Sequence, residues 1–143
     1  MQVKVTWVDG VCFSGESDSN HSVKMDGPSE AGGLDKGMRP MELLLLGMGG
    51  CTSFDVVTIL KKSRQKIVDC EALISAERSK NIPKVFTKIH IHFVIKGNNL
   101  DNEVVDRVIK LSAEKYCSAT IMLSKSVEIT HDFEIIETSS AVI

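Results

Sequence analysis

Four cysteines, Cys12, Cys51, Cys70 and Cys117, carry most of the reactive potential of this 143-residue chain. Cys51 lies in GMGGCTS, inside the most apolar run of the sequence, with glycines before it and hydroxyls after it. A cysteine in a buried helix behaves as a small hydrophobe unless its surroundings favour the thiolate, which is the nucleophilic form. Cys117, in AEKYCS, falls where one helix is expected to end and another to begin, and the positive end of a helix dipole favours thiolate. Two such thiols, one attacking and one resolving, make a working dithiol when a fold brings them together. The spacing by itself leaves open whether they meet.

The other candidates read more plainly. Alternation places Cys70 on the apolar face of a strand, as core, and Cys12 sits in an early strand with no chemical context. The cysteines are far apart with no CxxC pair, which argues against zinc. The start MQVKVTWVDG has no signal-peptide pattern, which argues against a secreted disulfide framework and leaves a cytoplasmic protein as the expectation. His90 and His92 share a strand face with Lys88 and Lys96 and read as solvent-exposed, an HxH pair being a weak metal signal without a carboxylate nearby. His131 alternates with Ile129 and Phe133 and reads as a satisfied core histidine. The sequence has no Gly-rich phosphate loop, GxSxG elbow or HExxH motif, and neither a metal nor a bound cofactor is expected.

The elements that must position these residues follow from periodicity. Val3, Val5 and Trp7 alternate with Lys4 and Thr6 in a strand, and Asp9-Gly10 turns the chain into a second strand at 11–16. A third strand at 21–25 precedes the glycine-rich stretch 26–39, which reads as an exposed connector. Pro40 suits a first helical position, and Leu43 to Leu46 cover every side of a turn, so a helix surrounded by protein is predicted from there. The apolar run 41–60 is broken by Glu42, Asp55 and three glycines, so it reads as a buried helix and no membrane span is expected. Strands follow at 69–77, with Cys70, Ala72, Ile74 and Ala76 inward, and at 85–96, with Val85, Ile89, Ile91, Phe93 and Ile95 inward. Asp101 caps an amphipathic helix that ends near Tyr116-Cys117, a short helix spans 118–123, and Val127, Ile129, Phe133 and Ile135 mark a last strand. The class is α+β, in the order βββ-α-ββ-α-α-β, as one domain over 1–143. A net charge of −2 lacks the basic footprint of a nucleic-acid binder, so no nucleic-acid partner is expected.

The stretches RPMELLLLGMGGCTSFDVV at 39–57 and AEKYCS at 113–118 resemble the OsmC/Ohr family, most closely its YhfA-like branch, over essentially the whole chain. The resemblance implies an intertwined homodimer whose central helices are buried between subunits, which would account for an apolar surface all round residues 41–60. It implies that Cys51 is the peroxidatic thiolate that reduces an organic hydroperoxide, and that Cys117 resolves the resulting sulfenic acid to a disulfide. An external dithiol, such as a dihydrolipoyl protein, would then reduce the disulfide. The family also uses an arginine to hold the thiolate and an acid to hold the arginine, the acid ten residues before the helix cysteine. Here that position is Met41, and Arg39 and Glu42 are the nearest candidates for the pair. The implied function is thiol-dependent peroxide reduction in oxidative stress defence. The displaced acid motivates a rival, a binding module for a small apolar ligand without turnover; a thiol redox sensor is the third reading.

Overall fold

A computed structural model describes residues 1–139 of the chain. The chain forms two compact units, Met1–Leu46 and the part from Gly47 on, with one helix running across the boundary.

In the first unit, β1 (Val3–Asp9), β2 (Cys12–Ser17) and β3 (Ser22–Met25) make an antiparallel sheet in the order β1-β2-β3. The hairpin turns at Gly10, whose φ of 52° is strained for residues with a Cβ, and Trp7 Nε1 donates to its carbonyl at 2.8 Å. The strand forms as expected, but Val3, Val5 and Trp7 stand exposed, so the apolar face of β1 has no cover among the described residues. The connector at 26–39 is more ordered than its composition suggests. Asp26 is buried, and its carboxylate accepts from the backbone N–H groups of Gly27, Leu34 and Lys36, which draws the loop around it. A Cβ at Gly33 would collide with the Gly27 carbonyl, so this loop closes only with glycine there.

α1 (Pro40–Lys62) enters the second unit at Gly47. Within that unit it buries Met48, Gly49, Thr52, Val56 and Leu60, a ridge at the four-residue spacing of one helix face. The second sheet comprises β4 (Lys66–Arg78), β5 (Phe86–Asn98) and β6 (Glu128–Glu137). β5 is central, antiparallel to β4 and parallel to β6. The parallel pair requires a crossover, built from α2 (Asn102–Leu111), a π-turn at Ser112–Tyr116 and α3 (Ser118–Leu123). Ile89, Ile91, Phe93 and Ile95 are buried as their alternation predicts, but Val85 lies outside the strand and is half exposed. A bulge opposite Glu77 and Arg78 inserts one residue into β5, so Phe86, not Val85, points inward at its start. Asp101 does cap α2, accepting from the N–H groups of Glu103 and Val104. The regular helix then stops at Leu111 instead of continuing to Tyr116, because the next five residues take the wider π winding.

Candidate functional site

Cys51, Thr52 and Asp55 occupy neighbouring positions on α1, the last one helical turn after the first. Against this face packs the π-turn. Ser112, its first residue, is fully buried and shares a 2.8 Å hydrogen bond with the Thr52 hydroxyl; its Oγ lies 3.2 Å from an Asp55 carboxylate oxygen and can donate to it. The turn closes with the Cys117 N–H donating to the Ser112 carbonyl at 2.8 Å. Fixing Ser112 on α1 therefore also fixes Cys117. The result is a cluster in which the Sγ atoms of Cys51 and Cys117 and a carboxylate oxygen of Asp55 all lie within 4.8 Å of one another. Both cysteines are free thiols.

Cys117 serves as the N-cap of α3, with its sulfur in the accepting role. Thr120 donates to that sulfur twice, from its backbone N–H at 3.4 Å and its hydroxyl at 3.1 Å. These bonds favour thiolate, but burial outweighs them and pushes the Cys117 thiol above its ordinary value, with Cys51 alongside adding to the rise. The thiolate bias expected from a helix N-terminus is thus overridden by desolvation. Cys51 is partly accessible where Cys117 is buried, so an outside oxidant meets Cys51 first. Cys70 is half-buried, on the face its strand predicts but short of the core expected for it, and burial together with the charges of Asp69 and Glu71 pushes it up to about 11.

The fold also gathers what linear spacing obscured. No CxxC pair marks a zinc site in the sequence, but the fold brings together two thiols and a carboxylate, the kinds of donor a thiophilic metal takes. Asp55 was noted in the sequence only as an interruption of an apolar run; its place four residues after Cys51 was the signal that it shares the cysteine's face. Arg39 and Glu42 are engaged within the first unit. The Arg39 guanidinium pairs with Asp35 at 2.8 Å and donates to the Gly37 carbonyl, and the Glu42 carboxylate accepts from the Arg39 backbone N–H at the start of α1.

The histidines depart from expectation. His90 and His92 are half-exposed on β5, but β6 brings carboxylates directly against them. Asp132 lies 2.9 Å from His90 and 2.7 Å from His92, Glu134 lies 3.3 Å from His92, and Thr130 bonds the other nitrogen of His90. His131 is not the satisfied histidine its alternation suggested, since its Nε2 is buried with no hydrogen-bond partner among the described residues. Its strand neighbour is Ile91, which offers no side-chain acceptor or donor, and burial lowers its pKa. His131 borders a cavity of about 400 Å³, whose walls include Ile91, Phe93, Ile121 and Ile129 and also Thr52 and Thr120, the neighbours of the two site cysteines.

The fold agrees with the outcome of comparison with known proteins. The family model for OsmC-like proteins matches residues 33–132, and the chain belongs to that family. Protein YhfA of Escherichia coli K12 is 48% identical over 136 residues, covering 95% of this chain and 98% of that protein. A hypothetical protein from Aquifex aeolicus has a crystal structure similar to this one at a TM-score of 0.85, with 28% identity over 96% of this chain and 97% of that one. An organic hydroperoxide resistance protein OsmC from Legionella pneumophila shares the fold at a TM-score of 0.72, with 15% identity over 93% of this chain and 95% of that one.

Proposed function

We propose that this protein reduces organic hydroperoxides through a Cys51–Cys117 dithiol, in oxidative stress defence. The observation that carries the reading is the meeting of two thiols, distant in sequence, within 4.8 Å. The Cys51 thiolate attacks the distal peroxide oxygen, an S–O bond forms as the O–O bond breaks, and the departing alkoxide takes a proton to leave as alcohol. Cys51 is then a sulfenic acid. Cys117 attacks it, water leaves, and the two-electron oxidation is stored as a disulfide before over-oxidation can occur. An external dithiol, such as a dihydrolipoyl protein, returns the pair to thiols. The cavity beside Thr52 and Thr120, walled by Ile91, Phe93, Ile121 and Ile129 together with Glu114 and Ser124, supports an organic substrate in preference to hydrogen peroxide. The organic hydroperoxide resistance protein that shares the fold supports the same reading. Arg39 and Glu42, the nearest candidates although Met41 holds the acid's position, take the parts of the family's arginine and acid. The protein works as a cytoplasmic homodimer, which supplies the cover that the apolar surface of α1 lacks in one chain.

The test is the mass of reduced protein after one equivalent of cumene hydroperoxide, with peptide mapping. A Cys51–Cys117 disulfide that fails to form in Cys51→Ser is the expected result; thiols that stay reduced would overturn the reading. In that event the cavity favours a second one, a binding module without turnover, because the unpartnered Nε2 of His131 beside apolar walls suits a small apolar ligand with one polar group.

A further inference from the structure

Whichever molecule oxidises Cys51, Cys117 has to lose its proton before it can attack, because the thiol is a poor nucleophile. Cys117 is fully buried, and its two hydrogen bonds from Thr120 do not offset that burial, so it rests protonated. The proton needs an acceptor inside the site. Cys51 and Asp55 on α1 and Cys117 at the junction of the π-turn and α3 lie within 4.8 Å of one another, and Glu114 and His131 line the cavity beside Thr52 and Thr120. Oxidised Cys51 carries the group that must leave, and the Asp55 carboxylate lies within 4.8 Å of both sulfurs, in reach to carry the proton from one to the other. Asp55 is also tied to the π-turn that carries Cys117: its carboxylate lies within reach of the Ser112 hydroxyl, which is itself bonded to Thr52.

We propose that Asp55 is the proton acceptor for the resolving thiol. As Cys117 attacks the Cys51 sulfenic acid, its proton passes to the Asp55 carboxylate, the new S–S bond forms and the S–O bond breaks. The departing hydroxide recovers the proton from Asp55 and leaves as water. No new charge is left in the site, and one carboxylate has served both halves of the step. The peroxide-dependent form of this step rests on the function proposed above, whereas the proton transfer itself operates on any oxidised Cys51.

The test therefore uses no peroxide. In a Cys12→Ala, Cys70→Ala background, the neutral disulfide 2,2′-dithiodipyridine reacts first with the accessible Cys51, releasing one thiopyridone. Cys117 then attacks the mixed disulfide and releases a second. The second phase should vanish in Cys117→Ser, which assigns it. In Asp55→Asn the second phase should slow by about 100-fold, the usual scale of a lost general base. It should also become proportional to hydroxide concentration, whereas the parent phase is nearly flat around neutral pH. A second phase that is unchanged or faster in Asp55→Asn would overturn the proposal, since the carboxylate would then only repel thiolate. So would its absence from the parent protein, where Cys117 would not be attacking at all. If the second phase behaves as expected but the protein consumes no hydroperoxide, the peroxidase reading fails and the role of Asp55 stands.

Discussion

Ser112 has no reactive chemistry of its own, yet three parts of the site meet at it. It bonds Thr52, can donate to Asp55, and its carbonyl receives the Cys117 N–H. Because it is fully buried, replacing it by alanine leaves the Thr52 hydroxyl without its partner and removes a donor from the carboxylate. An unsatisfied buried polar group costs about 1–3 kcal/mol, so Ser112→Ala should lower the unfolding free energy by about that amount in urea titrations. The backbone bond that closes the π-turn survives the change, so the two thiols should still form a disulfide, more slowly than in the parent. A stability loss with no change in disulfide rate would separate the two roles and show that Ser112 does not position the site.

At the scale of elements, the parallel pairing of β5 and β6 creates a polar ladder on the exposed face of the sheet, His90 and His92 against Thr130, Asp132 and Glu134. Hydrogen bonds that His92 donates to the Asp132 and Glu134 carboxylates raise its pKa above its ordinary value near 6.5, and the two histidines lower that of Asp132 below 3.8. A raised histidine contributes stability that is complete below its unfolded value and is lost as pH rises through the folded one. A depressed carboxylate contributes stability that is present above its unfolded value and is lost as pH falls through the folded one. Both contributions coincide between roughly pH 4 and 6.5. The difference in Tm between the parent and Asp132→Asn should therefore be widest in that interval and shrink at higher pH. A gap that widens toward pH 8 would show that the ladder does not hold His92 in its charged form.

At the scale of the whole molecule, apolar side chains remain uncovered on both units. Val3, Val5 and Trp7 stand out from β1, Leu44 and Leu46 from the start of α1, and Phe54 is 72% exposed further along that helix. Apolar surface in this quantity marks an interface. A second copy of the chain is the occupant the proposed homodimer supplies. Phe54→Glu should shift the protein from dimer to monomer in sedimentation equilibrium, because a buried charge without a partner costs several kcal/mol. A parent protein that sediments as a monomer would remove the homodimer from the functional reading.

Strand and helix order was readable in the residues because both depend on local periodicity. Alternation in Ile89, Ile91, Phe93 and Ile95 marks a strand face whatever covers it, and Asp101 caps a helix through its own neighbours. The two cysteines of the candidate site were legible as types in context, a cysteine among glycines and a cysteine at a helix junction. The tertiary structure alone decided which groups meet. A bulge of one residue moved the inward face from Val85 to Phe86, the crossover set Asp132 against His90 and His92, and a buried hydroxyl pair fixed Cys117 beside Cys51 and Asp55. Local sequence fixes φ and ψ and the face on which a side chain lies. Proximity between distant residues depends on how those faces pack, and so does the burial that overrides a thiol's local preference.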